Sequence, residues 1–428
     1  MSLPNDQQRM EKIVSLCKRR GFIFQAGEIY GGLNGVWDFG PLGVELKRNL
    51  KDYWWRTIVH EREDVVGLDG AIITHRAMLK ASGHEDTFSD PMVDCLVTQR
   101  RFRADQIPPL SGTILRFGGA IPRRVIIDSG EQLGQGSPIA AAVDALMAVD
   151  ATKAAEARTA LGDIKARAYL DAICREPFRV LMPRGGSESE ARRTAAQYYK
   201  QRGIEDAVPL LEDREEVADT TQFNPENGAL LTPPRAFNLM LRTHLGATED
   251  ESSLAYLRPE TAQSIIGQYR NVLDTSRKKL PFGIAQIGKA FRNEINPRNF
   301  IFRSREFEQM ELEYFCAPAD GMRLLDYWLE ERLKFYDNIG IPRAKLHVLT
   351  VPDADRAFYS KGTYDIEYEF PFGVQELEGV AYRTDYDLTQ HQNASGKPLD
   401  YFNEETKERF IPHVVEPSAG VDRTLLAL

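Results

Sequence analysis

Residues 282–315 carry the polar side chains whose types and spacing could do chemistry. The segment is typical of two alternating strands joined by a short polar loop, in which every second residue shares a face. One face of the hairpin is predicted to carry Arg292 and Glu294 on the first strand and Arg303, Arg305, Phe307, Gln309, Glu311 and Glu313 on the second. Arginines suit phosphate oxygens, a phenylalanine suits a flat base, and carboxylates suit an ammonium group. The pattern therefore predicts a nucleotide and an amino acid bound end to end along one sheet.

The same pattern is also typical of a solvated sheet face, on which charges of alternating sign simply pair across strands. The opposite face of the hairpin is apolar, and we expect it to be covered: it carries Ile287, Phe291, Met310, Leu312 and Tyr314. The residues alone leave the polar face open to either water or a ligand.

Composition and charge restrict the class of protein. A chain of 428 residues that is 42% hydrophobic and 27% charged is typical of a soluble globular protein, which the length suggests has about two to three domains. The chain has a net charge of −9 and therefore lacks the basic surface that is typical of a general nucleic-acid binder. Any RNA contact must therefore use local patches, such as Lys18, Arg19 and Arg20 or Arg100, Arg101 and Arg103.

The cysteines and the N-terminal segment indicate a location. Cys17, Cys95, Cys174 and Cys316 show no C-x-x-C spacing, so we expect neither a zinc site nor a disulfide framework. We also expect no signal peptide and no membrane span, because the chain has no apolar stretch of the required kind. The sequence thus predicts a cytoplasmic protein.

Three segments are predicted to make up the chain. Residues 1–106 begin with a helix that ends before Gly21, followed by a short strand at residues 22–24 and a long helix opened by Pro41. Residues 107–232 are predicted to be an inserted, mainly helical subdomain because they contain an alanine-rich stretch. Residues 233–428 return to strands and turns, with a helix from Gly321 to Asn338 and a last strand that turns at Gly420 into a short helix. The expected class is α+β, an antiparallel sheet flanked by helices.

A glycine-containing loop within the inserted segment, RRVIIDSGEQLGQGSPIAAAVDAL, could cradle a phosphate at a helix N-terminus. It matches neither of the usual phosphate-loop patterns, and we favour an ordinary turn before a helix.

Several motifs together resemble those of class II aminoacyl-tRNA synthetases, and most closely the homodimeric glycyl-tRNA synthetases: FRNE, REFEQMELEYF, RPETAQ, ELEG and EPSAGVDR. The resemblance covers residues 8–106 and 233–428 and implies a class II catalytic core. The resemblance implies that the hairpin corresponds to motif 2 and that the region around Pro41 corresponds to motif 1 at a dimer interface. It also implies that GVDR is a variant of motif 3.

The resemblance implies an ATP site. Arg292 would hold the α-phosphate, Glu294 would meet the adenine edge, and Phe307 would stack on the ring. Arg423 would cover the other face of the base and reach the γ-phosphate, while Glu376 would help to hold Mg²⁺. The implied ATP-binding residues are Arg292, Asn293, Glu294, Phe302, Arg303, Phe307, Glu376, Leu377, Gly420, Asp422 and Arg423, with catalytic roles for Arg292, Glu376 and Arg423.

The resemblance also implies a glycine site formed by Arg103, Glu260, Phe307, Gln309, Glu311, Arg383, Glu416, Ser418 and Gly420. The chemistry agrees, since a substrate without a side chain is recognised by its charged groups and by exclusion of anything larger. A buried cluster of carboxylates is costly, so perturbed acids or a bound cation are expected. Structural alternatives remain: Glu260 could cap the following helix, Glu416 could pair with an arginine, and Glu376 and Glu378 could lie on a solvated strand.

The implied reaction is the formation of glycyl-adenylate from glycine and ATP, followed by transfer to the 3′ end of tRNA(Gly) in a homodimer. An anticodon-binding domain is expected after motif 3 and is missing from this sequence, so activation of glycine is better supported than charging of tRNA. Where some relatives carry a zinc-binding turn this chain has NPENG, which also argues against zinc. Two rival functions remain open, a paralogue that serves another acceptor and a scaffold without catalysis.

Overall fold

The computed structural model describes residues 4–122, 174 and 176–428. Its contacts divide the chain into two compact units, Asp90–Phe237 and the combination of Met1–Ser89 with Asn238–Leu428. The second of these combines the first and last parts of the sequence, and we call it the core unit. We call Asp90–Phe237 the inserted unit.

The described helices are α1 Pro4–Arg20, α2 Pro41–Trp55, α3 Arg76–Ala81, α4 His84–Thr87, α5 Glu188–Lys200, α6 Ala262–Ser276, α7 Gly321–Asn338, α8 Tyr386–Ser395 and α9 Val421–Ala427. The described strands are β1 Ile23–Gln25, β2 Trp37–Phe39, β3 Val65–Gly67, β4 Ile73–His75, β5 Ser89–Asp94, β6 Arg101–Arg103, β7 Leu110–Pro122, β8 Phe178–Pro183, β9 Ala207–Thr220, β10 Arg235–Asn238, β11 Arg242–His244, β12 Leu254–Leu257, β13 Phe282–Phe291, β14 Glu306–Cys316, β15 Leu346–Thr350, β16 Gly362–Phe370, β17 Gly373–Thr384, β18 Tyr401–Phe402, β19 Arg409–Phe410 and β20 His413–Gly420. None of the helices described is long and apolar enough to cross a membrane.

A seven-stranded sheet in the order β15-β16-β17-β20-β14-β13-β3 forms the centre of the core unit. Its strands pair antiparallel except for β3, which runs parallel to β13. The predicted hairpin is β13 and β14, in which Phe282 pairs with Phe315 and Phe291 with Glu306. The expected α+β class is confirmed.

The two faces of β14 differ as the alternating pattern predicts. Met310, Leu312 and Tyr314 are buried in a core that also holds Trp54 of α2 and Trp328 of α7. Aromatic side chains of this size contribute large buried areas, which explains why the helices pack on this side of the sheet. The opposite face carries the polar residues and is the one available for a site.

The beginning and end of the hairpin differ from the prediction. Arg292 and Glu294 do not lie on a strand face, because β13 ends at Phe291 and Asn293 turns its N–H to the carbonyl oxygen of Leu239. Arg303 and Arg305 likewise precede β14. These residues therefore lie in the connection between the strands. The N–H of Arg292 still donates to the carbonyl oxygen of Arg305 at 2.9 Å, but the N–H of Arg305 donates to Gly35 instead of returning the bond.

Several predicted elements are confirmed. Pro41 occupies the first turn of α2, where its missing N–H costs nothing, and α7 has the predicted limits. The short strand lies one residue later than expected, at Ile23–Gln25. The last strand turns at Gly420 into α9, of which Val421 and Leu425 are buried. Leu428, which follows the helix, is half exposed.

The inserted unit contains a sheet in the order β8-β7-β9, with α5 packed on β8 and β9. Its limits differ from the predicted 107 and 232 because Val93, Cys95 and Val97 share a core with Phe117 and Tyr199. The described part of the segment is built mostly on strands. The alanine-rich stretch and the glycine-containing loop fall outside the described residues, and their predicted structure stays a prediction.

Candidate active site

A pocket of about 200 Å³ opens on the polar face of β14, β17 and β20. All of the predicted ATP-binding residues except Asn293 line it, together with Ile301, Ser304, Glu308, Gln309, Gly379 and Ser418. The strands supply Phe307, Leu377 and Gly420, the connection between β13 and β14 supplies Arg292 and Arg303, and α9 supplies Arg423. The hairpin face and the last strand thus meet at one site, although more than a hundred residues separate them in the sequence.

Arg292 lies between two aromatic rings at this pocket. Its guanidinium carbon is 5.3 Å from the ring centre of Phe307 and 5.3 Å from that of Phe88. Its Nε donates a hydrogen bond to the carbonyl oxygen of Pro259 at 3.1 Å. Cation–π attraction and this hydrogen bond hold the guanidinium in one orientation.

Glu294 and Arg303 bind each other. Arg303 Nε donates to Glu294 Oε2 at 2.7 Å, and the glutamate side chain is 8% exposed. The carbonyl oxygen of Glu294 accepts a hydrogen bond from Arg305 Nε at 2.8 Å. The connection between the strands therefore has a fixed shape next to the pocket.

Arg423 on α9 closes the other side of the pocket. Its guanidinium carbon is 4.5 Å from the ring centre of Phe302, and its Nη1 is 3.4 Å from Glu376 Oε2. Arg423 is partly exposed and Glu376 is half exposed. An anionic ligand could therefore bind Arg423 by displacing an exposed ion pair, which costs little.

Carboxylates near Glu376 suit a divalent cation. Glu376 pairs across the ladder with Glu367, and Asp365 lies on the same strand as Glu367. Burial, together with the charges of Glu376 and Glu367, raises the pKa of Asp365 to about 6. Since carboxylate and phosphate oxygens are the ligands Mg²⁺ prefers, these acids fit a magnesium ion bound with ATP.

Glu311 occupies the inner end of the same face. Ser418 Oγ donates to Glu311 Oε1 at 2.8 Å, and the hydroxyl of Thr261 donates to Glu311 Oε2. Gln309 Nε2 donates in turn to Ser418 Oγ at 3.4 Å, which connects Glu311 to a residue that lines the pocket. Glu311 is buried, so its orientation is set by these donors.

Arg383 is the cation of the inner end. It is buried and donates two hydrogen bonds to Asp387, from Nε to Oδ2 at 2.8 Å and from Nη2 to Oδ1 at 2.9 Å. Its Nη1 donates to Glu416 Oε2 at 2.8 Å. The alternative that Glu416 pairs with an arginine is therefore what the structure shows. Sequence reasoning missed Asp387, although its spacing of four residues from Arg383 in RTDYD could have indicated a pair.

Glu260 also lies at the inner end, just before α6. His84 Nε2 lies 3.2 Å from Glu260 Oε2, and Gln263 Nε2 donates to Glu260 Oε1 at 3.2 Å. Burial favours the protonated acid, but the charges of His84 and Arg383 outweigh it and lower the pKa of Glu260. Glu260 does not cap α6, since the capping position belongs to Thr261. Sequence reasoning missed His84 and Gln263.

The two glutamates of the ELEG motif have different surroundings. Glu376 is half exposed, whereas Glu378 is buried and accepts a hydrogen bond from Arg332 Nε at 2.6 Å. The alternative of a solvated strand face is therefore wrong for Glu378.

Carboxylate oxygens of Glu311, Glu313 and Glu416 all lie within 4.8 Å of one another. Burial, reinforced by the neighbouring acids, raises the pKa of each of the three. Among the described residues, neither oxygen of Glu313 has a hydrogen-bond partner. The expected perturbed acids are present, and a cluster of this kind suits an ammonium group.

Arg103 belongs to the inserted unit. It lies on β6 and forms ion pairs with Asp90 at 3.0 Å and with Asp105 at 2.7 Å. Its predicted contact with glycine stays a prediction.

Comparison with known proteins identifies the family. Residues 246–428 match the model of the tRNA synthetase class II core domain (G, H, P, S and T). The glycine–tRNA ligase of Thermus thermophilus is 44% identical over 434 residues, which cover 98% of this chain and 72% of that protein. The glycine–tRNA ligases of Deinococcus radiodurans and Thermobifida fusca are each 42% identical, and the matches cover 98% of this chain and 73% and 71% of those proteins. This chain belongs to the glycine–tRNA ligase family.

Membership of the glycine–tRNA ligase family extends further along the chain than the motifs indicated. The matches cover 98% of it, so they continue through residues 107–232, for which the motifs showed no resemblance. The inserted unit is thus part of the family's sequence rather than an unrelated addition.

Proposed function

We propose that this chain activates glycine with ATP to give glycyl-adenylate and transfers the glycyl group to the 3′ end of tRNA(Gly). The observation that carries the proposal is the single polar face that runs from Arg292 and Arg423 to the buried acids. Gln309, Ser418 and Glu311 connect its two ends through hydrogen bonds of 3.4 Å and 2.8 Å. A nucleotide and a small ammonium compound can therefore be held side by side.

In the first step a carboxylate oxygen of glycine attacks the α-phosphorus of ATP, and the bond to pyrophosphate breaks. Arg292 holds the α-phosphate and stabilises the charge that develops on its oxygens. Phe307 and Arg423 hold the adenine between them, so the reacting atoms are aligned before the reaction. The step needs no nucleophile from the protein, because the substrate supplies it.

Glycine is selected by the buried acids. Glu311 and Glu416 accept hydrogen bonds from its ammonium group, and Glu260 adds negative charge. These side chains are held by Thr261, Ser418, Arg383 and His84. A larger amino acid would have to displace acids whose positions are fixed, and it would lose the charged hydrogen bonds.

Further parts of the proposal concern the cation, the assembly and the location. Mg²⁺ bound with ATP at Glu376 would add positive charge at the phosphates. We expect a homodimer that contacts through the region of α2, and tRNA that brings only its acceptor end to this site. A cytoplasmic location agrees with four cysteines that are all free thiols.

Exchange of labelled pyrophosphate into ATP, measured with a panel of amino acids, tests the activation step. We expect exchange with glycine and none with alanine or serine. Charging of tRNA(Gly) transcripts then tests the transfer step. Exchange without charging would support the paralogue, and the absence of exchange in a folded sample would overturn the proposal in favour of a scaffold.

A further inference from the structure

Two acids lie directly beside the residues that would hold adenine. Glu308 follows Phe307 on β14, and Asp422 precedes Arg423 at the start of α9. Both acids also line the pocket that Phe307 and Arg423 share. Neither acid was assigned a partner from the sequence.

Lys47 of α2 contacts both acids. Its Nζ lies 2.7 Å from Glu308 Oε2 and 2.9 Å from Asp422 Oδ1. The ring centre of Phe39 lies 3.8 Å from the same nitrogen. One ammonium group thus bridges a strand residue and a helix residue that are 114 positions apart.

The acids are also joined without Lys47. The N–H of Glu308 donates to Asp422 Oδ2 at 3.1 Å, and Lys51 Nζ donates to Glu308 Oε1 at 2.7 Å. We call Lys47, Lys51, Glu308 and Asp422 the lysine bridge. Through it α2 is fixed to both sides of the predicted adenine site.

Burial makes the lysine bridge stiff. The side chains of Lys47 and Glu308 are each 12% exposed, and that of Asp422 is 7% exposed. Burial opposes the charged forms of Lys47 and Glu308. The charges of Asp422 and Glu308 outweigh it for Lys47, whose pKa is raised, and those of Lys47 and Lys51 outweigh it for Glu308, whose pKa is lowered, whereas burial raises the pKa of Asp422. Separating two buried charges of opposite sign costs free energy, because each charge is then left without a partner in an environment that cannot solvate it. Buried ion pairs therefore stay in place.

We propose that Lys47 is a positioning residue that sets the separation of Phe307 and Arg423 and thereby the affinity for ATP. The inference rests on the proposed function, because it takes these two residues as the walls of the adenine site. Lys47 itself does not line the pocket that these two residues form. Its effect would pass through Glu308 and Asp422 to their sequence neighbours.

The variant Lys47→Met tests the proposal in the full chain. It keeps the length of the side chain and removes the charge, so the acids lose their common partner. In glycine-dependent pyrophosphate exchange we expect the KM for ATP to rise about 10-fold or more, while the KM for glycine stays within about twofold of the wild type. Lys47→Arg restores the charge, and we expect it to recover most of the ATP affinity.

Two further variants complete the design. Lys289→Met removes another lysine–glutamate pair of the same hairpin, with Glu306. The two side chains are 51% and 33% exposed, and we expect no change in either KM. Glu308→Gln weakens the bridge with a smaller perturbation and should raise the KM for ATP even if Lys47→Met does not fold.

The outcomes are distinct. An unchanged KM for ATP in the folded variants, or an equal rise in both KM values, overturns the positioning role. A wild-type chain without glycine-dependent exchange overturns the proposed function instead.

Discussion

The two ends of the candidate site are built in different ways. At the end proposed to bind ATP, which we call the ATP end, Arg423 and Glu376 form an ion pair in which the side chains are 28% and 52% exposed. At the end proposed to bind glycine, which we call the glycine end, Arg383 is 2% exposed and is bound by Asp387 and Glu416. One end has partly exposed cations on a loop and a helix, and the other has buried ions next to strands.

The difference shows how each end can accept its ligand. Exposed ion pairs contribute about 0–1 kcal/mol, so phosphates can replace their acidic partners at small cost. The buried acids are already desolvated in the folded protein, so an arriving ammonium group finds oriented acceptors and need not reorganise them. We therefore expect variants at the glycine end to lower stability as well as binding, and variants of Arg292 and Arg423 at the ATP end to change catalysis with little loss of stability.

The largest effect is expected for Arg383→Met. It leaves Asp387 and Glu416 buried without their cation, which should lower the free energy of unfolding by about 3–5 kcal/mol and abolish glycine-dependent exchange. Urea unfolding and the exchange assay measure both. Arg332→Met is the matched control, because Arg332 is equally buried against Glu378 outside the pocket. It should lose stability and keep its KM for glycine, and equal KM changes in the two variants would contradict the comparison.

Arg292→Ala should act on turnover. Removing the side chain proposed to hold the α-phosphate should lower kcat about 10²–10³-fold and leave the KM for glycine and the urea midpoint nearly unchanged. Single-turnover measurement of adenylate formation checks this expectation. Arg270→Ala, on the exposed face of α6, serves as the control. A clear loss of stability in Arg292→Ala would remove the contrast between the two ends.

Glu311→Gln keeps the size of the side chain and removes its charge. We expect the KM for glycine to rise about 10- to 100-fold, because a hydrogen bond to a charged group is lost. The KM for ATP should stay constant. Steady-state exchange with each substrate varied in turn is the measurement. A rise in the KM for ATP alone would place Glu311 at the wrong end of the site.

Glu313→Gln should change the pH dependence of stability. Burial keeps the pKa of Glu313 above that of the unfolded chain, so the folded wild type retains a proton that the unfolded chain releases. Wild-type stability therefore falls as the pH rises above the unfolded value, and the glutamine variant lacks this loss. We would measure the free energy of unfolding of both proteins at pH 5 and pH 8. The variant should be more stable relative to the wild type at pH 8 than at pH 5. No difference between the two pH values would show that Glu313 is ionised in the folded state.

The smallest effect is expected for His84→Gln. Burial opposes the charged imidazole, but Glu260 outweighs it and raises the pKa of His84. The stabilisation is present in full below the unfolded pKa, near about 6.5, and is lost as the pH rises through the folded value. We expect a loss on the order of 1 kcal/mol at pH 5.5 and less at pH 9. His347→Gln removes an exposed pair with Glu369 and should show little effect at either pH.

Much of the scaffold was predictable because its signals are local. Pro41 begins α2, and the alternation around Met310 and Leu312 divides β14 into a buried and a polar face. The limits of the inserted unit were not predictable in this way, since Val93 and Cys95 join its core through contacts far along the chain. Residues 292–294 were misplaced because a period of two continues in the sequence after the strand has ended.

For the site, the sequence determined which residues face the ligand side of β14, because strand alternation needs no knowledge of the rest of the fold. The site residues of β20 were implied only by the resemblance of its motif. Its motifs also determined the family. Only the tertiary structure decided which charges are partnered. Asp387 and His84 join the acids, Lys47 bridges Glu308 and Asp422, and Arg303 turns to Glu294. The physical reason is that an ion pair depends on distance and burial, and both are set by segments that lie far apart in the chain.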